Sequence, residues 1–182
     1  MPNIIQLRDY EPKSSHHIFL DANILLYVFS PIGDYRKREQ EQITNFLSHA
    51  KAAGTSLYVT SLVLSEFYNR QLKTFFDDWK TLKENPGENI DLKKDYRPTS
   101  HYTESIKAIS SSVRNILKFA TKFPDSFNAI NIDHVLDMCV TSDFNDAYFL
   151  ALAELNGWMI FTRDRDLINH PSGKVLIITN LN

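Results

Sequence analysis

The stretch that decides the fold is TSDFNDAYFLALAELNGWMIFTRDRDL, residues 141–167. Its first part predicts a helix over 142–156, in which a nearly continuous apolar run at 147–153 indicates burial on most sides. Gly157 supplies the stop that commonly follows a helix. Residues 158–161 then form a short apolar run without alternation, which is typical of a strand buried on both faces.

Three more short apolar runs predict strands, at 18–20, 57–60 and 175–178. Helical patterns separate the strands, and their predicted ranges are 34–53, 61–79, 104–123 and 132–140. Short apolar strands with helices between them indicate an α/β fold on a parallel sheet. We therefore expect a single domain over residues 1–182, with a short parallel sheet of four to five strands flanked by helices.

Two segments do not fit this alternation. Residues 1–16 are predicted to be an irregular lead-in, because Pro12 and Ser14-Ser15 are loop-forming residues. Residues 77–103 are predicted to be a long charged connection within the domain, with prolines, a glycine and mixed charges.

The composition is that of an ordinary globular protein, with 43% hydrophobic and 23% charged residues, which excludes a disordered or collagen-like chain. A single cysteine, Cys139, excludes an internal disulfide framework and a thiolate metal cage. No apolar run approaches the length of a membrane span, and no secretory signal is visible. We expect a cytoplasmic protein with no membrane partner.

The net charge of −2 argues against a protein that coats nucleic acid nonspecifically. The charge is unevenly distributed, because residues 70–125 carry a net charge of +3 and the remainder −5. The basic residues in or beside the predicted connection are Lys73, Lys80, Lys83, Lys93, Lys94 and Arg97. They form either solvated surface or a basic lobe that holds a polyanion near an acidic centre.

Acidic residues follow the predicted strands or begin the helices next to them. They are Asp21, Glu66, Asp143, Asp146, Asp164 and Asp166. In parallel sheets ligands bind outside the carboxyl ends of the strands, so these carboxylates gather at one edge. Clustered carboxylates repel one another unless cations neutralise them, and a cluster of four suits one or two hard divalent ions. Histidine and cysteine ligands spaced for zinc are absent, which favours Mg²⁺ or Mn²⁺.

Each carboxylate also has an ordinary structural interpretation. Asp21 could cap the following turn, and Glu66 could pair with Arg70 four positions later. Asp143 and Asp146 fit residues that favour a helix N-terminus, Asp143 more so, and Asp164 and Asp166 fit turn residues, Asp166 more so. Taken together and in this order, the carboxylates favour a site.

Four motifs occur in order along the chain. They are a D-x-N motif in 19–26, a helix start with a glutamate in 60–66, an aspartate leading an alanine-rich helix in 145–153, and T-x-D followed by a second aspartate in 160–167. Together they resemble the motifs of PIN-domain nucleases, a family that includes the short bacterial toxins of the VapC type. The resemblance spans residues 17–179.

The resemblance implies an activity and a set of site residues. The implied catalytic and metal-binding residues are Asp21, Glu66, Asp146 and Asp164, with Asn23, Thr162 and Asp143 in supporting positions. The implied activity is a metal-dependent endoribonuclease that hydrolyses RNA with metal-activated water and leaves a 5′-phosphate and a 3′-hydroxyl. The implied cofactor is Mg²⁺ or Mn²⁺, and the partners are RNA and, if the chain is a toxin, an antitoxin protein. A homodimer is a further option.

Two departures from the family bear on substrate choice and on the toxin role: the long connection at 77–103, and bulky residues in the alanine-rich helix such as Phe149. Two other functions stay open. One is a catalytically silent PIN scaffold that binds RNA or a protein partner, since a fold alone does not establish activity. The other is a phosphatase with Asp21 as nucleophile, although Asn23 stands where such enzymes have a second acid.

Overall fold

The structure, a computed structural model, describes residues 3–32, 37–82, 89–171 and 173–181. Within them six strands form one sheet in which all neighbouring strands are parallel. The strands are β1 (Asn3–Gln6), β2 (His17–Leu20), β3 (Ser56–Val59), β4 (Thr121–Lys122), β5 (Met159–Phe161) and β6 (Leu176–Thr179). Their order across the sheet is β1-β6-β5-β2-β3-β4. The predicted α/β class with a parallel sheet is confirmed, with six strands instead of four to five.

The two unpredicted strands lie at the sheet edges. β1 falls within residues 1–16, so the prediction of an irregular lead-in is wrong: Ile4 and Ile5 pair with β6. β4 has only two residues, and both are exposed. The helix predicted over 104–123 therefore ends earlier than expected, at Phe119, because β4 follows it. Edge strands are short and partly exposed, so they lack the continuous apolar run that identifies a central strand.

Helices cover both faces of the sheet. They are α1 (Ala22–Phe29), α2 (Lys37–Ala52), α3 (Ser61–Thr81), α4 (Ser100–Phe119), α5 (Ile132–Met138), α6 (Phe144–Asn156) and α7 (Arg165–Asn169). Phe19 of β2 contacts Phe149 of α6, whereas Phe161 of β5 contacts Phe46 of α2. Phe19 pairs with Ile160 in the sheet, and adjacent residues of a strand point to opposite faces. α2 and α6 therefore pack on opposite faces.

The connection predicted over 77–103 is shorter than expected, because α3 continues to Thr81 and α4 begins at Ser100. Between these helices the chain forms a short π-helical turn at Leu92–Tyr96, while residues 83–88 lie outside the described segments. Tyr96 is fully buried, with its ring 5.0 Å from that of Trp79 at the end of α3. This aromatic contact packs the turn against α3. The charged residues around Tyr96 give no indication of this packing in the sequence.

Gly157 ends α6 in the left-handed conformation predicted for a helix stop, with φ of 65°. In the described part of the chain, no helix combines the length and the apolar character that crossing a bilayer requires.

Candidate active site

The strand order places a topological switch point between β2 and β5, where the crevice of a parallel sheet is expected. From β2 the chain continues to β3 on one side, whereas from β5 it continues to β6 on the other side. A parallel sheet has its ligand site where the direction of the connections reverses, at the carboxyl ends of the strands. Asp21 follows β2 directly, and Thr162 to Asp164 follow β5. Two of the predicted motifs thus meet at this point.

Hydrogen bonds join the ends of β2 and β5. The Thr162 hydroxyl donates to Oδ2 of Asp21 at 2.5 Å and accepts a bond from the Asp164 backbone N–H at 2.8 Å. The backbone N–H of Arg163 donates to Oδ1 of Asn23 at 3.1 Å. Because a threonine hydroxyl has one proton and two acceptor sites, Thr162 can serve both neighbours at once. Thr162 and Asn23, predicted as supporting residues, fix the backbone and side chains around Asp21.

Asp21 is almost completely buried, at 3% exposed. Burial raises the pKa of its carboxyl to about 7, the Thr162 hydrogen bond opposes this increase, and repulsion from Glu66 and Asp164 adds to it. Asp21 begins α1, as the capping interpretation expected, but its side chain makes no capping hydrogen bond. A buried carboxylate held by Thr162 is poorly placed for attack on a substrate, so the geometry does not support a phosphatase nucleophile at this position.

Three carboxylates lie close enough together to share one cation. Oxygen atoms of Asp146, Asp164 and Asp166 all lie within 4.8 Å of one another. Asp143 accepts a hydrogen bond from the Asp146 backbone N–H at 3.0 Å and so caps α6, as its structural interpretation predicted. Asp164 caps α7 in the same way by accepting from the Asp166 N–H at 2.9 Å. Both caps begin helices whose first turn carries an aspartate of the cluster.

Asp166 is interpreted from the sequence as an ordinary turn residue because it follows a strand, and the structure brings it close to two predicted site residues. In the structure it occupies the first turn of α7, and its exposed side chain joins Asp146 and Asp164. The signal that could have identified it is the Asp-x-Asp spacing after β5, which a short helix converts into two carboxylates on one side of a turn.

The environment of Asp146 strongly disfavours a negative charge on its carboxyl group. Burial raises the pKa of its carboxyl to about 8, and repulsion by four neighbouring acids adds to the shift. Those acids are Asp143, Asp164, Asp21 and Glu66. Asp146 therefore lies within the electrostatic reach of every other predicted carboxylate of the site.

Glu66 lies in α3 beside the buried stripe of that helix. The buried residues of α3 are Val63, Phe67, Gln71, Phe75 and Trp79. Glu66 consequently adjoins the buried face, and burial raises the pKa of its carboxyl. The alternative pair also forms, with Nη1 of Arg70 3.3 Å from Oε1 of Glu66. Glu66 thus has a cationic partner and repulsive contacts with Asp143 and Asp164.

The donor set at this edge fits a hard divalent cation. It consists of carboxylate oxygens, the ligands that Mg²⁺ and Mn²⁺ prefer. The raised pKa values of Asp21 and Asp146 indicate that cationic side chains do not offset burial and mutual repulsion at these two carboxylates. A bound cation would supply the missing positive charge. In the described segments, this is the one group of three or more potential ligands whose donor atoms converge.

The basic residues near the α3–α4 hairpin fall into different groups. Lys73 and Lys80 form ion pairs with Asp77, at 2.8 and 2.6 Å. Lys83 lies outside the described segments. The remaining three side chains are exposed: Lys93, Lys94 and Arg97. Among the described residues of the predicted basic lobe, Lys93, Lys94 and Arg97 are therefore the exposed cations outside the Asp77 ion pairs.

Comparisons with known proteins agree with this architecture. The similar solved structures include PAE2754 from Pyrobaculum aerophilum, and VapBC2 from Rickettsia felis bound to a DNA fragment from their promoter. The first is 18% identical, with 94% of this chain and 88% of that chain covered and a TM-score of 0.49. The second is 12% identical, with 90% of this chain and 98% of that chain covered and a TM-score of 0.51, which shows a shared fold. No curated protein sequence matches this chain.

The family model described as PIN domain matches residues 18–172, which include all four acidic motifs. PIN domains are generally nucleases, and a cluster of acidic residues at the carboxyl edge of the sheet is present in this chain. The match covers most of the sequence, including β3, β4, β5 and all but the first residue of β2. The chain therefore belongs to the PIN domain family.

Proposed function

We propose that this protein is a metal-dependent endoribonuclease. The observation that carries the proposal is the cluster of Asp146, Asp164 and Asp166, whose carboxylate oxygens lie within 4.8 Å of one another. Asp21 and Glu66 add to the electrostatic repulsion at Asp146. Such repulsion destabilises the folded protein and has no structural benefit, so a site that binds cations accounts for it better than a scaffold does. PIN-family membership supports the nuclease activity.

The proposed cation ligands are Asp146 and Asp164, with Asp21 and Glu66 completing the site and Asp166 as an additional candidate. When bound, a divalent cation lowers the pKa of water and stabilises negative charge on a phosphodiester. The protein orients the ligands: Thr162 holds Asp21, and the capped starts of α6 and α7 hold Asp146 and Asp164.

In this proposal Arg70 positions the side chain of Glu66. Its ion pair holds the Glu66 side chain at the edge of the crevice, at 3.3 Å. The Glu66 side chain is 28% exposed, so it can exchange this partner for a cation without unfolding α3. Exposed pairs of this kind contribute little stability, so the exchange costs little.

The proposal includes the partners that the VapC-type resemblance implies. The substrate is RNA, an antitoxin protein is the partner if the chain acts as a toxin, and a second copy could form a homodimer. The solved VapBC2 structure supports the shared fold and contains DNA from a promoter, so DNA belongs among the ligands to be compared with RNA.

The test offers the purified protein single-stranded RNA, DNA of the same sequence, and p-nitrophenyl phosphate. Each substrate is incubated with EDTA, with Mg²⁺ and with Mn²⁺. We expect internal cleavage of RNA only in the presence of a cation, with 5′-phosphate ends on the products. No cleavage with either cation at saturation would favour a silent scaffold, and release of p-nitrophenol without RNA cleavage would favour a phosphatase.

A further inference from the structure

A cavity of about 690 Å³ opens at the carboxyl ends of β1 and β6. Its walls come from α2 and from the segment at 6–11, with Asn180 at the edge. Gln6 is the last residue of β1, and Asn180 directly follows β6. All strands are parallel, so this cavity lies at the same edge of the sheet as the acidic crevice. Its volume falls within the range of sites that bind small organic groups.

The walls carry hydrogen-bonding groups in a regular arrangement. Arg38, Gln42, Asn45 and His49 all line the cavity, and their spacing of four, three and four positions sets them on one face of α2. All four are exposed. Side-chain amides both donate and accept hydrogen bonds, as the edges of nucleobases do. Arginine adds a planar group that bonds guanine or phosphate in two places.

The floor of the cavity is aromatic. Tyr10 and Phe46 both line it, with ring centroids 5.8 Å apart in an edge-to-face contact. Both are at least nine-tenths buried. Most of the other lining residues are polar, so the cavity combines an aromatic floor with a polar rim, which suits a flat ring that has hydrogen-bonding edges.

The distance from the acidic crevice suits a nucleic acid strand. β6 separates β1 from β5 in the sheet, so the end of β1 lies two strand spacings from the end of β5. At roughly 4.8 Å for each spacing, the separation is about 10 Å. A stacked strand advances about 3.4 Å for each nucleotide, so the end of β1 is about three nucleotides from the near side of the crevice at β5.

Side-chain contacts connect the α2 wall of the cavity to the residues that follow β5. Nη1 of Arg163 donates to Asn180 at 2.7 Å, and the Asn180 amide donates to Gln42 at 3.2 Å. The Arg163 guanidinium also lies over the ring of Tyr27 and pairs with Glu39 of α2 at 3.4 Å. Arg163 stands between Thr162 and Asp164 in sequence, so the cavity and the metal-binding residues share one support.

We propose that this cavity is a base-recognition subsite for single-stranded RNA, which binds an unpaired base close to the cleaved phosphodiester. The inference rests on the proposed ribonuclease function and adds to it the origin of sequence preference. Single-stranded RNA is recognised through splayed bases that are hydrogen-bonded at their edges. Gln42 and Asn45 supply those bonds.

The experiment measures the binding of four fluorescein-labelled decamers, of A, C, G and U, by anisotropy in Mg²⁺. An Asp146→Asn background prevents cleavage, and the comparison is made with and without Gln42→Ala/Asn45→Ala. We expect a preference of at least about tenfold for one base, reduced to about threefold or less by the double substitution. Thr44→Ala/Ser48→Ala is the matched control, since both residues are exposed on α2 outside the cavity. This control variant should retain the base preference of the Asp146→Asn background.

A base preference that survives Gln42→Ala/Asn45→Ala, or equal binding of all four decamers by the background protein, would overturn this inference. Metal-dependent RNA cleavage by the wild type would still support the ribonuclease proposal in either case. Conversely, base-selective binding that the double substitution removes, in a wild type that cleaves no RNA, would contradict the ribonuclease proposal and retain the subsite. Melting temperatures of both double variants establish that they are folded.

Discussion

Replacing Asp146 by Asn should stabilise the protein in the absence of metal ions. Burial and neighbouring carboxylates raise the pKa of Asp146 from its ordinary value of 3.8 to about 8. Between these two pH values the folded protein holds a proton that the unfolded chain has lost. The free energy of unfolding of the wild type therefore falls as the pH rises from about 4 to about 8. Because an asparagine side chain does not ionise, the free energy of unfolding of Asp146→Asn does not fall in this way as the pH rises.

The size of the gain follows from the same environment. Each pH unit of a raised pKa corresponds to about 1.4 kcal/mol. Asp146 is only partly buried, so water screens its charge, and we expect about 2 kcal/mol at pH 8 instead of the full product. The substitution also removes a carboxylate from the first turn of α6, which costs about 0.5 kcal/mol. A net gain of about 1.5 kcal/mol raises Tm by roughly 3–6 °C.

Thermal unfolding of both proteins in EDTA at pH 5 and pH 8 measures this effect. Asp133→Asn is the matched control, because Asp133 is an exposed acid in the first turn of α5. We expect Asp146→Asn to gain stability over the wild type at pH 8 and little or none at pH 5, whereas Asp133→Asn should gain at neither. Equal Tm values for wild type and Asp146→Asn at pH 8, or a similar gain in the control, would refute the electrostatic reasoning.

Two further predictions concern ligands. Mg²⁺ or Mn²⁺ should raise the Tm of the wild type by binding the folded state, and the increase should shrink in an Asp21→Asn/Asp164→Asn variant. Equal shifts in both proteins would mean that the ions bind elsewhere. Replacing Lys93, Lys94 and Arg97 by Ala should weaken RNA binding and reduce the slope of log affinity against log salt by roughly 0.7 for each lost phosphate contact. Titrations at several salt concentrations measure the slope, and an unchanged value would identify these residues as solvated surface.

The centre of the sheet is predictable from sequence because local and tertiary requirements agree there. Every residue of Ile18–Leu20 is fully buried, so a continuous apolar run suffices to identify β2. β1 is different, because Ile4 is 38% exposed at the sheet edge. An edge strand is defined by its partner, here β6, and local sequence does not contain that information.

The residues of the candidate site also differ in how far the sequence predicts their positions. Asp146 and Asp164 begin helices at the carboxyl edge, so their positions follow from capping and topology. The orientation of Glu66 does not, because α3 has apolar residues on two adjacent stripes and packing alone selects Val63 and Phe67 for burial. The cavity beside β1 is also beyond sequence reasoning, since it joins α2 to an N-terminal strand that the apolar pattern does not reveal.

The rate of RNA cleavage by Asp146→Asn tests the central claim most directly. The wild type, Asp146→Asn and the control Asp133→Asn are compared on the same single-stranded RNA in saturating Mg²⁺ or Mn²⁺, with folding verified by thermal unfolding. The account predicts cleavage by the wild type and by Asp133→Asn, and none by a fully folded Asp146→Asn. Cleavage by Asp146→Asn at the wild-type rate would contradict the assignment of the acidic crevice as the catalytic site.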